Sequence, residues 1–150
     1  MGLKRLRAFL GRWRRISVDT NVFIYALEFN PKYADSAYEV LKWVQSPGHS
    51  AVTSTLTLTE LLARPYSLGQ ADRAQDYYEL LSKYPHLEWV APDLEIADLA
   101  AQFRAQHRMR TPDAIQAATA VQSGATGFIS NDPVFQRVEV FETLVLDDLL

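Results

Sequence analysis

The sequence predicts one α/β domain built around a parallel sheet, and three observations predict it. Short apolar runs with β-branched residues alternate with helical segments along the chain. No internal repeat, low-complexity stretch or linker divides it. The 150 residues are 48% apolar and 22% charged, which suits a single soluble domain with a substantial core.

The elements follow in chain order. Residues 1–15 form a basic N-terminal arm ahead of a domain spanning 16–150. In the arm, Leu3, Leu6, Leu10 and Trp13 recur at helical spacing with cations between them, which predicts a short amphipathic helix. Ile16-Ser17-Val18 reads as a strand ending at Asp19. Asn21 to Leu27 begins a helix, Pro31 interrupts, and Tyr33 to Val44 resumes helical periodicity. Ser46-Pro47-Gly48 is a turn, and Ser50 to Thr53 is a second strand. Thr55 to Ala63 is a helix, with Thr57 and Glu60 at capping-box spacing and Arg64-Pro65 as its end. Gln70 to Tyr84 is an amphipathic helix and Leu87 to Val90 a third strand. Pro92-Asp93 opens a helix that runs to about His107. Thr111 is the expected N-cap, and Pro112 the first residue, of a helix to about Gln122 that Gly124 closes. Gly127 to Ser130 is a fourth strand, Val138 to Phe141 a fifth, and Leu144 to Leu146 extend or follow it.

Composition narrows the chemistry. There is no cysteine, so disulfides and thiolate metal sites are excluded and a reducing, cytoplasmic setting is expected. A metal must sit on oxygen or imidazole, and the only histidines are His49, His86 and His107. No apolar run reaches the length of a membrane span, and the basic start lacks the apolar core of a signal peptide. The net charge of −3 hides an asymmetry: six cations precede the first acid, Asp19, leaving nine cations against eighteen acids in the rest. A basic arm on an acidic body points to a polyanionic or acidic partner for the arm.

Four carboxylates stand out. In an open parallel sheet, ligands sit beyond the carboxyl ends of the strands. Asp19 follows the first strand, Glu60 lies on the helix leaving the second, and Asp132 follows the fourth. Asp113 is in the first turn of a helix that feeds the fourth strand, so that helix runs antiparallel to the strand and starts at the same edge. Singly, each acid passes for a helix or turn cap. Together they converge on one rim with no Lys or Arg adjacent in sequence. Clustered carboxylates raise one another's pKa, and a hard divalent cation relieves that repulsion. Oxygen ligands without His or Cys favour Mg²⁺ or Mn²⁺ over Zn²⁺.

Val18-Asp19-Thr20-Asn21-Val22-Phe23, Leu58-Thr59-Glu60-Leu61-Leu62, Pro112 to Ala120 and Phe128 to Phe135 resemble the four acidic motifs of the PIN-domain ribonucleases. In order and spacing they are most similar to the VapC-like toxins of toxin–antitoxin pairs, over residues 16 to about 146. The resemblance implies a three-layer α/β/α fold with a parallel sheet of four to five strands, ordered 3-2-1-4-5. It implies metal-dependent cleavage of RNA, a cognate antitoxin and commonly a homodimer. By the same resemblance, Asp19, Glu60 and Asp113 hold a first metal, while Asp132 orients water or helps hold a second. Such a metal activates water for in-line attack on a phosphodiester. Thr20, Asn21 and Ser130 are secondary candidates for positioning ligands or phosphate, and Arg104, Arg108 and Arg110 for binding RNA. The family often has Thr where this chain has Ser130, and its usual start lies after the basic arm.

Other readings fit less well. A haloacid-dehalogenase-type phosphatase needs a second Asp two residues after the first, where this chain has Asn21. A phosphoryl-receiver domain needs a late Lys, and none follows Lys83. The glycine signatures of nucleotide binders are absent. The alternative from another class is a non-catalytic PIN-like module that binds RNA or protein.

Overall fold

The chain is described over residues 2–150 by a computed structural model. A five-stranded sheet is ordered β3-β2-β1-β4-β5, and every neighbouring pair is parallel. Its strands are β1 Arg15–Val18, β2 Ser50–Ser54, β3 Leu87–Val90, β4 Gly127–Ser130 and β5 Glu142–Val145. The helices are α1 Gly2–Leu10, α2 Thr20–Leu27, α3 Ala34–Gln45, α4 Thr55–Ser67, α5 Ala71–Ser82, α6 Leu94–His107 and α7 Thr111–Gln122. Short 3-10 helices cover Pro133–Arg137 and Leu146–Leu149. The three-layer α/β/α arrangement and the strand order are those the sequence led us to expect.

The central strands are buried on both faces, so their side chains alternate between two cores. Ile16, Val18, Ala51 and Ile129 join one core with Leu6, Phe9, Val22, Phe23 and Val40. Val52 and Phe128 join the other with Ile96, Phe103, Phe135 and the small face of α7. That face is Ala114, Ala117, Ala118 and Ala120, all fully buried. Without bulk there, α7 packs closely against α6 and β2.

Several expectations are corrected in detail. Within the stretch expected as a basic arm, α1 buries Leu6, Phe9 and Leu10 in the first core, and Arg15 already belongs to β1. The physical reason is the apolar stripe itself, which packs against α3 and the C-terminal 3-10 helix. Helix α4 is capped by Ser54, whose hydroxyl accepts from the Leu56 N–H, and not by a Thr57–Glu60 box. It also runs past Pro65 to Ser67, because a proline near the helix end removes one N–H while the following turn still bonds back to Arg64 and Pro65. In α7 the cap position is Arg110 and Thr111 is the first helical residue, so Pro112 comes second. The fifth strand is Glu142–Val145 rather than Val138–Phe141. Val138 and Phe141 instead cover β4: the Phe141 ring stacks on Phe128 with centroids 4.8 Å apart.

Candidate active site

The carboxyl edge of the sheet carries a cleft of about 180 Å³. Asp19, Glu60, Asp113 and Asp132 all line it, with Arg110 and Gln116. Strand and helix directions account for this. β1 ends at Val18, so Asp19 is the cap of α2 and its Oδ1 accepts from the Thr20 N–H at 2.9 Å. Glu60 comes from the second turn of α4, Asp113 from the first turn of α7. Asp132 caps the 3-10 helix after β4, its Oδ1 accepting from the Val134 N–H at 2.9 Å.

Asp19 is the most enclosed of the four, with 8% of its surface exposed. Burial pushes its carboxyl up to about 6. Hydrogen bonds from Ser130 and Thr20 pull the other way, and the neighbouring Asp113 and Glu60 charges raise it further. Burial also raises Asp113; the Arg110 guanidinium opposes this and the Asp132 charge reinforces it. These are the mutual effects expected of carboxylates that share a site.

Ser130 ties β4 to β1 at this point. Its fully buried hydroxyl donates to Asp19 Oδ2 at 2.7 Å and accepts from the Asp132 N–H at 2.9 Å. The Asn21 amide nitrogen reaches Asp19 Oδ2 at 3.3 Å, and its oxygen accepts from the Asn131 N–H at 3.3 Å. Thr20 Oγ1 donates to Glu60 Oε1 at 2.8 Å. The three secondary candidates therefore touch the acids or the backbone that carries them.

Two residues of the site were missed in the sequence. Gln116, 1% exposed, donates from Nε2 to Thr57 Oγ1 at 2.6 Å. Thr57 Oγ1 is also 2.7 Å from Thr53 Oγ1 and 3.2 Å from Thr20 Oγ1. This buried polar chain runs from α7 through α4 to the hydroxyl that holds Glu60. Its sequence signal was a long polar side chain among the small, buried residues of α7. The match of Thr57 to a capping box masked its part in the chain.

Of the three arginines, only Arg110 lines the cleft. Its Nε donates to Asp113 Oδ2 at 3.3 Å. Arg104 lies in the last turn of α6, and Arg108 is its left-handed C-cap with φ 54°.

The donor set suits a hard divalent cation: four carboxylates flanked by hydroxyls and amides, with no imidazole in the cleft. As the side chains stand, no three His, Asp or Glu groups among the described residues are gathered tightly enough to hold an ion. Glu60 is turned to Thr20, and Asp113 to Arg110. A cation would compete with these two contacts for the carboxylates, and the donor set fits such an ion by its chemistry.

The family model of the PIN domain matches residues 16–140. Solved structures share the fold. One is VapBC2 from Rickettsia felis bound to a DNA fragment from its promoter, with TM-score 0.70, 18% identity, 87% of this chain and 98% of that chain covered. A toxin–antitoxin complex from Klebsiella pneumoniae gives TM-score 0.67 and 20% identity over 87% of this chain and 97% of that one. VapC20 of Mycobacterium tuberculosis, a Sarcin-Ricin loop cleaving toxin, gives TM-score 0.66 and 17% identity, covering 83% and 95%. No curated protein matches the sequence. Among the described residues, no helix is long and apolar enough to cross a membrane.

Proposed function

Because the chain belongs to the PIN domain family, we propose that it is a Mg²⁺- or Mn²⁺-dependent endoribonuclease and the toxin of a toxin–antitoxin pair. The observation that carries the reading is the cleft that Asp19, Glu60, Asp113 and Asp132 line from four separate segments. Asp19, Glu60 and Asp113 would hold the cation, and Asp132 would orient water or help hold a second. A bound cation supplies Lewis-acid activation of water and charge stabilisation at the phosphodiester. Ser130 holds Asp19 by its hydroxyl, and Thr20 holds Glu60 until a cation displaces it. Arg110, freed from Asp113, takes a phosphate oxygen at the rim; Arg104 and Arg108 contact RNA farther out. The toxin role is supported by fold neighbours that are toxin–antitoxin complexes, and it implies a cytoplasmic homodimer held by a cognate antitoxin.

Asp19→Asn and Asp113→Asn each abolish metal-dependent RNA cleavage while the circular dichroism spectrum stays native. Full activity in either variant removes the core of the proposal. Calorimetry separates the non-catalytic module: absence of Mg²⁺ and Mn²⁺ binding favours it.

A further inference from the structure

A second polar cavity, of about 210 Å³, opens beside the carboxylate cleft. Its lining includes Glu28, Phe29, Arg64, Gln70, Arg73 and Tyr77. Helix α4 lines both cavities, and α2, which packs on it, lines the first and leads through its C-cap Glu28 into the second. Ile24 and Glu60 face the first; Glu28 and Arg64, each four residues later, face the second. Four residues of helix advance about 6 Å, which sets the two cavities one after the other, as two stations, along the α2–α4 pair.

The second station has the chemistry of an anion site. Its two arginines come from different helices and outnumber its one acid, Glu28. Neither Arg64 nor Arg73 pairs with a carboxylate among the described residues. The Arg73 guanidinium lies over the Tyr77 ring at 5.9 Å. The Tyr77 hydroxyl is buried and has no hydrogen-bond partner, a state that costs free energy unless a ligand atom completes it. At the mouth, Phe29 is 73% exposed and held at φ 53°, a conformation uncommon for a bulky side chain. An exposed ring beside an arginine pair is the combination that binds single-stranded nucleic acid: cations take phosphate and the aromatic stacks a base.

We propose that this cavity is a phosphate subsite for single-stranded RNA, holding a phosphodiester next to the scissile one, with Phe29 stacking the adjoining base. The proposal rests on the ribonuclease reading for its ligand. Arg64 and Arg73 bind the phosphate oxygens, and Tyr77 donates its hydroxyl to one of them.

The test uses the full chain carrying Asp113→Asn, so that RNA is bound without turnover. A labelled single-stranded oligoribonucleotide is titrated by fluorescence anisotropy at several salt concentrations, with and without Arg64→Gln and Arg73→Gln. Both arginines are exposed, and an unchanged melting temperature controls for folding. The double variant binds about tenfold more weakly, and its log–log salt slope is shallower by about 0.7 for each phosphate that it no longer neutralises. Tyr77→Phe binds less weakened than the double variant. With Asp113 restored, the double variant raises KM for the long oligonucleotide and leaves a dinucleotide, too short to span both stations, unaffected. Unchanged affinity and salt slope overturn the subsite. Loss of an acidic peptide's binding with RNA binding intact assigns the cavity to a protein partner and also overturns it. If the natural chain cleaves no RNA and the arginine variants still weaken RNA binding, the ribonuclease reading fails and the subsite stands.

Discussion

Asp19 shows how one residue couples the site to the stability of the fold. Its carboxyl rises from 3.8 to about 6 on folding, chiefly by burial. The native state therefore holds the proton more tightly than the unfolded chain does. Without metal, this group adds stability as pH falls from about 6 toward 4, and that gain is lost as pH rises through 6. Above pH 7 the buried charge costs about 3 kcal/mol, at about 1.36 kcal/mol for each tenfold change in proton affinity. Asp19→Asn removes the charge and keeps an oxygen for the Thr20 N–H. Urea denaturation in chelator should find the variant more stable than the natural chain at pH 8, with the advantage gone near pH 4. A variant less stable at pH 8 would show that the Ser130 and Thr20 bonds outweigh desolvation. The position of Asp19 could be read from the sequence, because a strand end and a helix start fix it. The buried chain through Gln116, Thr57 and Thr20 could not, because those residues meet only when α7, α4 and α2 are packed together.

Helix α1 separates what periodicity reveals from what it hides. The spacing of Leu3, Leu6 and Leu10 predicted a helix, and α1 is one. The same spacing serves a free amphipathic arm and a docked helix, so docking was not legible. Its cations gave the wrong emphasis. Arg7 pairs with Glu39 at 2.6 Å, and Arg12, in the turn after α1, with Glu142 at 2.7 Å, both arginines largely exposed; such pairs contribute little. The apolar stripe carries the energy. Leu6, at 0% exposure, sits in the core with Ile129 and Leu149, so Leu6→Ala should cost about 2–5 kcal/mol in denaturant unfolding. A cost below about 0.5 kcal/mol, the size of an ordinary surface change, would return α1 to a loosely attached arm. The joint after α1 is equally tight: a Cβ at Gly127 would fall 2.7 Å from Trp13 Cδ1, so that strand start needs glycine for the indole to lie against it. Strand five was misplaced for a related reason. Val138 to Phe141 and Glu142 to Val145 have similar strand-like composition, and only the pairing of Gly127 with Glu142 decides which segment joins the sheet.

The whole molecule is organised so that its sheet is rigid where its chemistry is electrostatically strained. Four segments, leaving β1, β2 and β4 or entering β4, deliver like charges to one rim. The two cores hold these segments in place, so the repulsion cannot relax by moving the backbone. A divalent cation that binds this rim and not the unfolded chain stabilises the entire fold by mass action, about 2.7 kcal/mol at a hundred times its Kd. For a domain of this size that raises the melting temperature by about 5–10 °C. The pH dependence has a definite sign. The cation needs ionised carboxylates, and Asp19 takes up its proton near pH 6, so the rise should be full at pH 8 and shrink through pH 6 toward pH 5. Asp19→Asn and Asp113→Asn should each remove most of it at every pH. Thermal melts with and without Mn²⁺ across this range measure it independently of RNA or turnover. A shift that is undiminished at pH 5, or that survives both substitutions, would place the cation somewhere other than the carboxylate cleft.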